Sequence, residues 1–230
     1  MDAIYGDAMP SDSLKPPNGS KGDVAHAIAK AGLSAIPLLG GPAAELFQML
    51  IQPPMERRRH EWMEEVGEKL QEIEDRGVDI SKLGDNEEFV SAVMHASQIA
   101  LRTHQKEKRN ALRNALLNVA GGHSPGEALQ QMFFDWIDTM SALHIQILRL
   151  FQAPTAPPNM GGGGLSSVLE HNMPNLRGSS HIYGQVWKDL YMRGLLNTDG
   201  LNVMMTGSGL AEKRTTKLGD TFLQFIAEPA

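Results

Sequence analysis

The side chains able to do chemistry are scattered through this chain rather than grouped. There are eight histidines and no cysteine. The missing thiols exclude disulfides, thiolate nucleophiles, zinc fingers and cysteine-ligated iron–sulfur clusters. No His-x-x-x-His pair occurs, and His95 and His104, nine residues apart, fall on different faces of a helix. Gly161 to Gly164 has no following Lys-Ser/Thr and no preceding strand, so it is not a phosphate-binding loop and reads as a flexible linker. Thr206-Gly207-Ser208-Gly209 lacks the Gly-x-Ser-x-Gly frame of a nucleophile elbow and reads as a hairpin turn. No contiguous catalytic, metal-binding or cofactor-binding motif is present, so the sequence predicts a non-enzyme without cofactor.

Charge offers more. Arg57-Arg58-Arg59 follows an apolar stretch, Gly32 to Ile51, that contains Pro37, Gly40, Gly41 and Pro42 and a single acid, Glu45. Ile36, Leu38, Leu39, Leu46 and Phe47, with the three arginines beside them, are candidate membrane or partner contacts, since cations there would meet anionic headgroups. The bend and Glu45 favour the alternative, a buried helical hairpin. A second basic cluster, Arg102, Lys106, Lys108, Arg109 and Arg113, has only Glu107 nearby; nucleic acid, acidic lipid or the acid-rich 61–75 helix of this or a neighbouring chain could meet it, and pairing within the chain is the first expectation. In the C-terminal part, Lys188, Arg193, Lys213 and Arg214 are candidate nucleic-acid contacts. Residues 175–230 carry six cations against five acids, which is too close to neutral for a typical phosphate-reading face. Tyr183, Trp187 and Tyr191, spaced i, i+4, i+8, are candidate protein contacts instead.

Positioning these residues requires a mainly helical chain. Residues 1–22 have the Pro, Gly and polar composition of a disordered tail. Two short apolar helices follow within 23–51, ended by Gln52-Pro53-Pro54, and the next helix buries Met55, Trp62, Val66, Leu70 and Ile73. Asp85 and Glu88 form a capping-box pattern. Ser124-Pro125-Gly126-Glu127 starts another helix, and Thr139 caps a further one. The Pro- and Gly-rich residues 153–164 form a loop. Helices near 165–171 and 181–195 precede two expected strands, Leu201–Met205 and Ala211–Thr216, and a final helix, Leu218–Ala227. The organisation is a tail (1–22), a helical bundle with an N-terminal apolar hairpin (23–138), and a module of three helices, hairpin and helix (139–230).

That order, helix, helix, helix, hairpin, helix, is winged-helix-like, with Ile182 to Leu190 as the third helix. The layout from Asp85-Asn86-Glu87-Glu88-Phe89-Val90, through Ser141-Ala142-Leu143-His144-Ile145-Gln146-Ile147-Leu148, to Leu218-Gly219-Asp220-Thr221-Phe222 also resembles bacterial abortive-infection proteins of the Abi-alpha type. The resemblance implies a role in phage defence and no catalytic residues. Thirteen methionines, few aromatics and a net charge of −6 fit a helix-rich binding protein better than a nucleic-acid reader. Without a basic, apolar leader or a long apolar run, the expected location is the cytoplasm, or the periphery of a membrane. The sequence thus predicts a non-enzymatic protein acting through a protein partner, a homo-oligomer or a membrane surface. A winged-helix DNA-binding regulator is the alternative, and a scaffold or adaptor the third reading.

Overall fold

A computed structural model describes the backbone of residues 42–229 and the side chains from residue 54 onward. The chain divides into two units, Met1–Met55 and Glu56–Ala230. The second unit carries every side-chain contact described below. Ile36, Leu38 and Leu39 lie outside the described residues, as do the side chains of Leu46 and Phe47.

The first helix, α1, spans Pro42–Asp75. Its 34 residues run through Pro53 and Pro54, where a new start was expected. The two prolines deny the Met49 and Leu50 carbonyls their usual helical donors, but they do not end the helix. Arg57-Arg58-Arg59 therefore lie in a helix interior, away from the positive N-terminal dipole that would oppose them. Trp62, Val66 and Ile73 form the buried stripe, while Met55 is half-exposed.

After a 3₁₀ turn at Ile80–Asp85 come α2 (Glu87–Arg102), α3 (Lys106–Ala120), α4 (Glu127–Thr139) and α5 (Ala142–Gln152). Asn86, rather than Asp85, caps α2, its Oδ1 accepting from the Phe89 N–H at 3.1 Å. Helix α4 starts after Gly126, at φ 94°, so Ser124 sits outside it and its hydroxyl donates to Glu88. Helix α2 buries Phe89, Ala92, Ala96, Ile99 and Ala100. These positions recur every three or four residues, and the alanines leave room for α3 to pack closely. Ala111, Leu112, Ala115, Leu116 and Val119 supply the facing side of α3.

The C-terminal part contains strand β1 (Gly162–Gly163), α6 (Leu165–Asn172), α7 (Ser180–Met192), strand β2 (Met205–Thr206), the single turn α8 (Gly207–Leu210) and α9 (Lys217–Phe225). The described chain is mainly α-helical with one small two-stranded antiparallel sheet, the class expected, but of the expected strand residues only Met205 lies in it. Gly162 pairs with Thr206 and Gly163 with Met205. Leu201–Met205 and Ala211–Thr216 do not pair with each other; Thr215 instead bridges Leu196. The four-glycine run is thus a packing element and not a free linker. A Cβ on Gly162 would stand 2.8 Å from the Met205 carbonyl oxygen, and one on Gly164 2.9 Å from that of Leu201. Only glycine lets the two backbones approach this closely.

One core runs through the second unit. Phe133 and Phe134 of α4 meet Phe222 and Phe225 of α9 edge-on, with centroids 5.2 and 5.4 Å apart. Phe151 of α5 meets Trp187 of α7 at 4.7 Å. These pairs join the early helices to the last one, which carries the strongest apolar periodicity of its region.

Candidate functional site

The four residues expected to touch nucleic acid have different fates. The Arg214 side chain is 11% exposed and donates to the Gly209 carbonyl and to Glu212, 3.4 Å away. Lys213 is paired with Asp220. Arg193 holds Asp189, one turn earlier on α7, at 3.1 Å. Lys188 alone is exposed without a hydrogen bond among the described residues. Arg214 is therefore corrected from a surface contact to a buried structural cation, and the four do not form a phosphate-reading face.

Tyr183 and Trp187 are corrected too. They are 4% and 1% exposed, inside the chain's own core. The Tyr183 hydroxyl donates to Glu170 Oε1 at 2.7 Å, and Trp187 Nε1 donates to the Thr198 carbonyl at 2.9 Å. Burial and the Glu170 carboxylate push the Tyr183 phenol up to about 12. The i, i+4 spacing marked a face that packs inward against α5 and α6. Tyr191, 38% exposed, is the one member available to a partner.

Among the arginines of α1, Arg57 is exposed and pairs loosely with Glu61 at 3.7 Å. Arg59 is exposed. Arg58 donates to the Leu101 carbonyl at 3.3 Å, where a cation complements the negative C-terminal end of α2. The second basic cluster pairs internally in part, and only Arg109 does so with the acid-rich 61–75 segment. Arg109 contacts Glu61 at 3.3 Å and Glu65 at 2.6 Å. Arg102 meets Asp138 at 2.9 Å, and Lys108 donates to the Asp138 carbonyl at 2.6 Å. Burial lowers the Lys108 pKa, partly offset by Asp138.

Two networks carry no contiguous motif. The first joins α5 to α7. His144 Nδ1 lies 2.8 Å from Ser141 Oγ and accepts the Ser141 backbone N–H at 3.2 Å. Nε2 is then the protonated nitrogen, and it reaches Asp189 Oδ2 at 3.2 Å. A serine hydroxyl beside an imidazole has the composition of a hydrolytic pair. Here, however, the nitrogen is shared with the backbone N–H of Ser141, the residue just before α5, which is the geometry of a helix cap. Ser141 thus replaces the expected cap, Thr139. Burial lowers the His144 pKa, with Asp189 opposing and Arg193 and Lys108 reinforcing. Because the folded value lies below the ordinary 6.5, the unfolded chain takes up this proton first as pH falls. His144 therefore contributes stability that is present above pH 6.5 and lost as pH falls from there through the lowered folded value. Urea midpoints should decline over that window, and His144→Gln should flatten the decline; an unchanged slope in the variant would refute the assignment.

The second network anchors α9. Asn118 Nδ2 donates to the Phe225 carbonyl at 2.9 Å and to that of Ala227 at 3.0 Å, and Asn114 Nδ2 donates to that of Ile226 at 3.1 Å. Two amides one turn apart on α3 thus take over carbonyls that the end of a helix leaves without donors. The signal was present as two buried asparagines at i, i+4 in a Leu- and Ala-rich helix.

Among the described residues, no group of three or more His, Asp or Glu is placed to hold a metal ion, and no helix is long and apolar enough to cross a membrane. No family model, curated protein or solved structure matches the chain.

Proposed function

We propose that this chain is a non-enzymatic protein that works by association with a protein partner, most simply a second copy of itself, or with a membrane surface. The observation that carries the reading is the chemistry of its exposed apolar side chains. Met55, Met63, Met94, Met192 and Met204 are among them, with Val90, Ile182, Tyr191 and Val203. Unbranched, polarizable thioethers adapt to varied partner surfaces and are over-used at promiscuous binding faces. The internal pairing of Arg193, Lys213 and Arg214 supports the same choice, since it weakens the field that nucleic acid would require. Cytoplasmic action in phage defence or stress is the setting this reading fits. Light scattering across a concentration series should detect self-association by the full chain, and paired Met192→Glu and Met204→Glu changes should weaken it. A monomer at every concentration that also fails to float with anionic vesicles would overturn the proposal.

A winged-helix regulator is the second reading, with a bare scaffold or adaptor as the fallback. It is favoured by the order α5, β1, α6, α7, followed by the antiparallel contact between Leu196 and Thr215. Mobility shifts decide it: binding lost on Lys188→Ala would support DNA reading, and no shift at low salt would remove it.

A further inference from the structure

We propose that the depression bounded by α3, α5 and the residues after α9 is a binding site for a small phosphate-bearing anion. It has a volume of about 530 Å³, within the range of small-molecule sites. Arg113, Asn110 and Asn114 of α3 line it with Arg149 of α5, and Glu228 is the one acid on its wall.

Two independent observations point to a missing partner. The first is Arg113. Of the basic cluster on and before α3, Arg102, Lys108 and Arg109 are all engaged. Arg113 is half-buried, and its Nε is shielded from solvent with no hydrogen-bond partner. It makes no hydrogen bond or ion pair among the described residues. Glu72 feels its charge, but that carboxylate is held by Lys69 at 2.7 and 2.8 Å. A guanidinium whose Nε is withdrawn from water without an acceptor is unfavourable, so a site that keeps one is poised for an anion at its open end. The second is Asn114, which is 8% exposed. Its Nδ2 is spent on Ile226, and its Oδ1 is buried without a donor.

Arg149 makes no hydrogen bond either, so two guanidiniums from different helices line one cavity. Planar forks of this kind bind phosphate oxygens in pairs, and two of them suit a diphosphate better than a single carboxylate. Phosphate of this kind can be free in solution or displayed on a lipid headgroup, and the same arginines would recognise both.

Titration calorimetry on the full chain with inorganic phosphate, pyrophosphate and ATP tests the soluble source, and flotation with phosphatidic acid vesicles tests the lipid source. The expected result is salt-sensitive binding of at least one probe. It should weaken by about tenfold or more in Arg113→Gln and in Arg149→Gln, and tighten in Glu228→Gln. Lys188→Gln, outside the depression, should leave it unchanged. Because Arg149 is exposed, its variant keeps the fold and the test stands even if Arg113→Gln does not fold. Absence of binding by every probe, or equal affinity in the Arg149 variant, overturns the site.

Discussion

Gly219→Ala is expected to destabilise the chain by about 3 kcal/mol, although the same change in a free helix would stabilise it by up to about 1 kcal/mol. Gly219 lies in the first turn of α9, where Thr216 Oγ1 accepts its N–H at 3.0 Å. That turn is pressed onto the backbone following α7: the Leu195 carbonyl accepts the Thr216 N–H at 3.0 Å, and the Gly194 carbonyl accepts the Thr216 hydroxyl at 2.6 Å. A Cβ on Gly219 would lie well inside van der Waals contact of the Leu195 carbonyl oxygen, and 3.4 Å from Thr215 Cβ. Backbone is met on that side, so no side chain can swing away. Gly184, inside α7, is the internal control, since a Cβ there meets nothing within 4 Å. Gly184→Ala should gain about 0.5–1 kcal/mol. Urea denaturation of both variants checks the pair, and the explanation fails if the two shifts share a sign.

Asn118→Leu should cost about 2–4 kcal/mol, although leucine shares the γ-branched shape of asparagine. The loss comes chiefly from the Phe225 carbonyl, which stays buried and loses its donor, while the carbonyl of exposed Ala227 can turn to water. Asn118→Asp sharpens the test, because a carboxylate there turns acceptors toward acceptors. Its cost should exceed that of leucine at neutral pH and shrink in acid, where the group gains a proton to donate. A midpoint unchanged by either substitution would mean that the end of α9 is held by its aromatic face alone.

These two sites also mark where reading the sequence stops. Helices α2, α4 and α9 were legible because their apolar residues recur at helical spacing: Phe89, Ala96 and Ala100 of the expected α2 stripe are buried, as are Phe133 and Ile137 of α4, whereas Val93 and Leu129 are half-buried and Ala92 and Ile99 take the deeper places on α2. The cap of α2 was missed by one residue, since Asp85 and Asn86 are chemically interchangeable there and only backbone geometry selects between them. The strands were misplaced for a different reason. Thr206 is both strand and helix cap, its Oγ1 accepting the Gly209 N–H at 3.2 Å, so a sequence resembling a hairpin turn begins α8 instead. Its strand partner is a pair of glycines over forty positions earlier, and glycine carries no pattern that announces pairing. The basic residues divided similarly. Internal pairing of Arg109 could be anticipated from the surplus of acids on α1, whereas the isolation of Arg113 emerges only once the neighbours are placed.

The amide contacts between α3 and the end of α9 link residues 106–112 positions apart in the chain. During synthesis, helices α2 to α5 emerge while Phe133 and Phe134 still lack Phe222 and Phe225, and while both asparagine amides have only water to bond. The core can close only after residue 227 has cleared the ribosome tunnel. Until then the nascent chain presents an open aromatic groove, which makes α3 and α4 the segments that a holding chaperone would engage first.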